Sequence, residues 1–117
     1  LRLFGAQQPL AARGHLELER LAAHIVRNLA RRITVAELAQ VACLSPSHFH
    51  AQFKDSIGLT PHQYLLKVRL DCAARLLRES RLPLVRIAAE CGFSSQSALT
   101  KAMRRYLGLT PKSLRKG

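Results

Sequence analysis

The side chains with the most chemistry to offer are five histidines and three cysteines, and their spacing organises none of it. His48 and His50 stand two residues apart, which puts them on different sides of a helix. No H-x-x-x-H, C-x-x-C or H-E-x-x-H spacing occurs, so no metal site is expected. Cys43, Cys72 and Cys91 form an odd, scattered set. That argues against a disulfide framework and for a reducing compartment. Each reads as a small buried hydrophobe. No Ser/His/Asp or Cys/His arrangement, glycine-rich phosphate loop or paired-carboxylate motif is present. Neither enzyme activity nor a cofactor is expected.

What remains is two short sets of hydrogen-bonding residues. Ser47, His48, His50, Ala51 and Lys54 would be left outward on one helix, with Phe49, Gln52 and Phe53 facing or flanking the core. Gln96, Ser97, Thr100, Lys101, Arg104 and Arg105 would share that of another, with Leu99 and Met103 inside. A helix fits the major groove of B-DNA and meets base edges with its N-terminal residues. Gln can grip adenine at N6 and N7, and Lys can donate to guanine O6 or N7. A Thr methyl or an Ala can touch the thymine methyl. Arg104 and Arg105 sit past the helix middle, where phosphate is the expected contact. Ser45, His48, Lys54 and Ser95 complete the expected phosphate set.

The elements that must hold these faces repeat. Leu38-Ala39 matches Ile87-Ala88, and Leu44-Ser45 matches Phe93-Ser94, at an offset of 49. Gly58-Leu59-Thr60-Pro61 recurs letter for letter as Gly108-Leu109-Thr110-Pro111 at an offset of 50. The second copy therefore carries one extra residue between Phe93 and Leu99. Each copy reads as helix, tight turn, helix. Thr34 with Glu37 has capping-box spacing, and Val35, Leu38, Ala39 and Ala42 follow a helical period. Ser45 and Pro46 restart a helix over 46–57, stopped by Gly58. Pro83 opens a helix with Val85, Ile87 and Ala88, ending at Gly92. Ser94 or Ser95 caps the next, over 95–107, with Leu99, Met103 and Tyr106. If the turn needs a left-handed backbone, Cys43, in the place of Gly92, costs about 1 kcal/mol.

Two more helices are expected. One runs from His15 to Arg32, its apolar stripe including Leu21, Ile25 and Leu29, with Arg31 and Arg32 at its C-terminal dipole. The other runs from Thr60 to Ser80 with Tyr64, Leu65, Val68, Cys72, Leu76 and Leu77. It is a rod of roughly 30 Å, close to the ~34 Å between successive major-groove faces. On it Arg69 and Arg75 are expected to pair within the chain, with Asp71 and Glu79 close by in sequence. Nothing reads as strand. The expectation is an all-α chain: linker tail 1–14, first lobe 15–59, linker helix 60–80, second lobe 81–117.

Charge supports a polyanionic partner. Of 117 residues, Lys and Arg number 19 and Asp and Glu 7, a net charge of +12. Hydrophobic residues at 48% exclude a disordered basic tail. No apolar run approaches the ~18 residues of a membrane span, and 1–14 has no signal-peptide core. With no Trp and 5% aromatics, a stacking platform for single strands is not expected. The charge is uneven. Residues 81–117 hold Arg81, Arg86, Lys101, Arg104, Arg105, Lys112, Arg115 and Lys116 against Glu90, a net +7. Residues 33–61 hold Lys54 against Glu37 and Asp55, a net −1.

Taken together, Glu37-Leu38-Ala39, Leu44-Ser45-Pro46, Phe49 with Phe53-Lys54, both Gly-Leu-Thr-Pro copies, Tyr64-Leu65 with Arg69, Ala73 with Leu76-Leu77, Ile87-Ala88 and Gly92 to Ser97 resemble a known pattern. It is that of the C-terminal DNA-binding domain of the AraC/XylS family of bacterial transcription regulators. The resemblance spans His15 to Lys116. It implies seven helices in two helix-turn-helix subdomains on a shared linker helix, the third and sixth entering adjacent major grooves. It places base reading on Ser47, His50, Ala51, Gln96, Ser97, Thr100 and Lys101. Ala51 departs from the family's usual long polar residue, and Leu114 stands where the family has Tyr before Arg115. Further expectations are a promoter operator as partner, RNA polymerase as a second, activation, and a cytoplasmic place on the nucleoid. An N-terminal effector-binding or dimerisation domain is also implied, in line with a chain that starts at Leu1. Two other classes compete: a non-specific or architectural basic helical protein, and an adaptor whose grooves hold acidic helices.

Overall fold

The structure, a computed structural model, describes residues 18–116. Among these, every regular element is a helix: α1 Leu18–Arg27, α2 Val35–Val41, α3 Pro46–Ile57, α4 Pro61–Glu79, α5 Leu84–Glu90, α6 Gln96–Leu107 and α7 Pro111–Lys116. The expected linker tail, and the start of α1 at His15, lie outside the described residues. The chain divides into two compact units, with the boundary inside α4 between Val68 and Arg69. Residues 29–31 belong to the second unit.

In the first unit α2 packs on α3 and on α1. Leu21, Ile25, Leu38, Phe49 and Phe53 are buried at its centre. The Phe49 and Phe53 rings lie 5.5 Å apart, and Tyr64 meets Phe53 edge-on at 5.2 Å. Such tilted pairs add to the burial of apolar area. His24 Nε2 and Glu37 Oε2, 2.5 Å apart, tie α1 to α2. In the second unit α5 packs on α6. Leu70, Ala73, Ile87, Leu99 and Met103 are fully buried there.

Capping chemistry sets most boundaries. Thr34 Oγ1 accepts from Glu37 N at 3.1 Å, as its spacing predicts. Thr60 and Gln63 form a reciprocal box at the start of α4. Gly58 and Gly108 end α3 and α6 with φ of 87° and 67°, their N–H groups donating to the carbonyls of Lys54 and Arg104.

Three sequence expectations need correction. First, α1 stops at Arg27, not Arg32. Asn28 folds back, its Nδ2 donating to the His24 carbonyl at 2.8 Å. Its own N–H is shared between His24 O and Ile25 O, which tightens the last turn. Arg31 and Arg32 therefore lie beyond the helix, not at its dipole. Second, some apolar placements fail: Val85 and Tyr106 are 62% and 46% exposed, and of the cysteines read as buried only Cys91 is, Cys43 being exposed and Cys72 half-buried. Third, Arg69 does pair within the chain, but with backbone carbonyls of other segments, described below.

Candidate nucleic-acid interface

Helices α3 and α6 are each launched by a tight turn with one left-handed residue. In the first, Cys43 has φ 60°; in the second, Gly92 has φ 86°. The bonds match across the repeat. Leu44 N donates to Ala39 O and Phe93 N to Ala88 O, both at 2.9 Å. Cys43 N donates to Gln40 O at 3.0 Å and Gly92 N to Ala89 O at 3.2 Å. This is the Schellman closure of a helix end. Ser45 follows Leu44 directly as N-cap of α3, whereas Ser94 intervenes between Phe93 and the N-cap Ser95 of α6. That is the extra residue of the second copy. Both launched helices still have 12 residues.

The two turns differ in what braces them. Arg69 is buried on α4, and its guanidinium gathers three carbonyls. Nη1 donates to Leu29 O, and to Cys91 O at 3.0 Å; Nη2 donates to Arg31 O at 3.2 Å. Burial lowers the Arg69 pKa, and the carbonyl fork offsets that desolvation. A Cβ built on Gly92 would fall 1.2 Å from Arg69 Nη1 and 2.3 Å from Leu29 O. Gly92 is thus required twice, for its φ and for the guanidinium in its side-chain space. The repeat maps Arg69 onto Arg20, which is exposed, and the first turn carries a Cβ on Cys43. Sequence reading missed this brace. Its signal was the pairing of a lone Gly in the second turn with an Arg on the linker helix α4.

The structure places the expected residues as follows. Ser47, His48, His50, Ala51 and Lys54 are exposed on α3. Gln96, Ser97, Lys101, Arg104 and Arg105 are exposed on α6, and Thr100 is half-buried. Ser45 Oγ accepts from His48 N at 3.3 Å and Ser95 Oγ from Ala98 N at 3.0 Å. Each capping hydroxyl keeps its own proton for an outside acceptor. Thr100 Oγ1 donates to Gln96 O at 3.0 Å, so that hydroxyl proton is committed within the helix. Arg105 stacks over the Tyr106 ring at 5.3 Å. Gln52, expected toward the core, is half-buried with its Oε1 inside. Among the described residues no cluster of three His, Cys, Asp or Glu could hold a metal ion. None of the described helices is long and apolar enough to cross a membrane.

A family model described as a helix-turn-helix domain matches residues 38–117, which takes in both turns with α3 and α6. The chain belongs to the AraC-type helix-turn-helix family, a family of transcription regulators. It is 49% identical over 88 residues to a protein of Photobacterium leiognathi named "Probable transcriptional regulator LumQ", covering 75% of this chain and 36% of that one. It is 38% identical over 82 residues to an HTH-type transcriptional regulator of Mycobacterium tuberculosis, covering 70% of this chain and 32% of the relative. The chain thus spans about a third of the length of these relatives. Among solved structures, the DNA-binding domain of AdpA in complex with a target DNA superposes with TM-score 0.75 and 32% identity, over 93% of this chain and 91% of that one. An AraC-type regulator from Chromobacterium violaceum shares the fold with TM-score 0.82 at 24% identity, over 91% and 93% of the two chains. The chain is thus an AraC-type DNA-binding domain with two helix-turn-helix motifs.

Proposed function

We propose that this domain binds double-stranded promoter DNA sequence-specifically through the N-terminal faces of α3 and α6, and that it acts without enzymatic chemistry. The observation that carries the reading is the pair of Ser-capped helices, each launched by a Schellman turn, whose first two turns present polar, acid-free faces to solvent. AdpA, whose DNA-binding domain is solved on its target, supports the same use here. Base reading is assigned to Ser47, His50, Ala51, Gln96, Ser97, Thr100 and Lys101. With its proton committed to Gln96 O, Thr100 reads through its methyl, which suits thymine. Phosphate contact is assigned to Ser45, His48, Lys54, Ser95, Arg104 and Arg105. Activation, contact with RNA polymerase, an effector-binding or dimerisation domain and a cytoplasmic location on the nucleoid are part of the same reading.

The test is a salt titration of binding to duplexes selected from a random pool, against scrambled duplexes of the same length. A selected site that holds an advantage of about 10³-fold or more over scrambled DNA supports the reading. Equal affinities across sequences would leave a non-specific basic protein. No duplex binding at ~50 mM salt, where phosphate contacts are strong, would favour an adaptor for acidic partners.

A further inference from the structure

The turn ahead of α6 is held from outside its own sequence. Its amides use carbonyls of α5: Gly92 N donates to Ala89 O and Phe93 N to Ala88 O. The carbonyl of Cys91, the C-cap of α5, takes its bond from Arg69 Nη1 at 3.0 Å. The guanidinium lies flush against the turn, since a Cβ on Gly92 would meet Nη1 at 1.2 Å. Its other acceptors, Leu29 O and Arg31 O, belong to the connector after α1. Residues 29–31 cluster with the second unit, although the chain on both sides of them, to Asn28 and from Arg32, clusters with the first. The backbone that carries Arg69 is itself fixed, because Leu70, Ala73 and Ala74 beside it on α4 are fully buried. A guanidinium is planar with its donors at set angles, so three carbonyls on one guanidinium also fix one another. Only three residues, Gly92 to Ser94, separate the clamped Cys91 peptide from Ser95, the N-cap of α6.

We propose that Arg69 is a positioning residue for base reading. By clamping the 29–31 connector and the Cys91 carbonyl to α4, it sets the angle and depth at which Gln96, Ser97 and Lys101 meet base edges. The inference rests on the assignment of α6 to base reading. Arg69 is 8% exposed, so it acts through the turn and not by touching DNA. Leverage sets the size of the effect. Lys101 stands six residues beyond Ser95, ~9 Å along the helix axis. A tilt of ~5° at the launch point moves it by about 0.8 Å. Specific contacts need their geometry within about 0.5 Å, and hydrogen bonds weaken steeply off angle. Phosphate contacts tolerate such a shift, because Coulombic attraction changes slowly with distance. Loss of the clamp therefore degrades selectivity more than affinity. In the first turn Cys43 stands in the place of Gly92 and carries the Cβ that this clamp excludes. The effect is therefore confined to the α6 half of the site.

The test is Arg69→Lys, which keeps a cation but loses the planar fork, in competition binding between single-base variants of the selected duplex. Gln96→Ala and Lys101→Ala mark the base pairs read by α6; Ser47→Ala and His50→Ala mark those read by α3. A good bidentate contact discriminates by about 5- to 150-fold. Arg69→Lys should cut that discrimination by about threefold or more at the α6 positions and leave it within about twofold at the α3 positions. Competition ratios count only folded molecules, so partial unfolding lowers the active fraction and not the ratios. A uniform loss of affinity with both sets of preferences intact would make Arg69 merely structural and overturn the proposal. Equal relaxation of both halves would overturn it too. Gly92→Ala keeps Arg69 but puts a methyl group at its Nη1, and should give the same one-sided loss. If neither variant folds, hydrogen exchange on the unsubstituted chain decides. The Gly92 and Phe93 amides should be protected at least as well as those of Cys43 and Leu44, and weaker protection overturns the clamp. An unsubstituted chain that binds selected and scrambled duplexes alike would end the base-reading assignment and this inference with it. Selective binding that Arg69→Lys leaves unaltered would end this inference alone.

Discussion

At the scale of single residues, the left-handed positions make the sharpest contrast. Gly58 has φ 87° and nothing within 4 Å of a built Cβ. Gly58→Ala should therefore cost only the backbone term, about 1–2 kcal/mol in chemical unfolding. Gly92→Ala carries that same term and also displaces the Arg69 guanidinium from its carbonyls. It should cost clearly more, about 3 kcal/mol or above, because three carbonyls, two of them in buried contacts, lose a charged donor together. Equal costs for the two substitutions would mean that Arg69 yields freely and does not brace the turn. Cys43→Gly relieves the same strain from the other side. It should be neutral or stabilising by up to about 1 kcal/mol, since glycine's entropy in the unfolded chain offsets part of the relief. The reading face yields a second contrast. Gln96→Ala and Lys101→Ala should each relax preference at one or two base pairs, by about 1–3 kcal/mol if the pairing is bidentate, as read by competition between single-base variants of the selected site. An unchanged preference in Gln96→Ala would displace α6 from the assigned role.

At the scale of elements, caps outweigh surface ion pairs. Ser95 Oγ satisfies an amide at the start of α6 that has no helical partner. Ser95→Ala should cost about 1 kcal/mol by thermal unfolding. Arg86 and Glu90 form an i, i+4 pair 62% and 42% exposed, so Glu90→Ala should cost no more than about 0.5 kcal/mol. The reverse order would mean that α5, not α6, sets the stability of the second unit. Such local devices are also what a sequence displays most openly. Thr34, Ser45, Thr60 and Ser95 sit within three residues of the amides they serve, so spacing alone located α2, α3, α4 and α6. The turn pair and the exposed faces of α3 and α6 were legible for the same reason. The end of α1 was not, because an apolar and basic run continues past Arg27 and only the fold-back of Asn28 marks the stop. Nor were the exposures of Val85 and Tyr106, since a helix of seven residues, or the last turn of a longer one, has too few turns to fix which stripe is inside. The Arg69 brace was hidden for the opposite reason. Its acceptors at Leu29 and Cys91 lie 40 and 22 residues away, and a backbone carbonyl leaves no trace in residue type.

At the scale of the whole molecule, the net charge of +12 conceals an uneven split between the two helix-turn-helix segments. Residues 81–117 carry a net +7, whereas 33–61 carry −1 with Lys54 as their one Lys or Arg. Phosphate neutralisation releases condensed counterions, so each lost contact lowers the salt slope of binding by about one. Arg104 and Arg105 are both exposed in the last turns of α6. Replacing both with Ala should lower the slope by about two and weaken selected and scrambled duplexes alike. Lys54→Ala should lower it by about one, which would remove the ionic grip of the first segment and leave its helix N-terminus and neutral side chains. The ratio of selected to scrambled affinity should survive both changes, because phosphates carry no sequence information. A slope change in Lys54→Ala as large as in the double arginine variant would place the electrostatic anchor on α3. A loss of preference in the arginine variant would move Arg104 or Arg105 from the phosphates to the base edges.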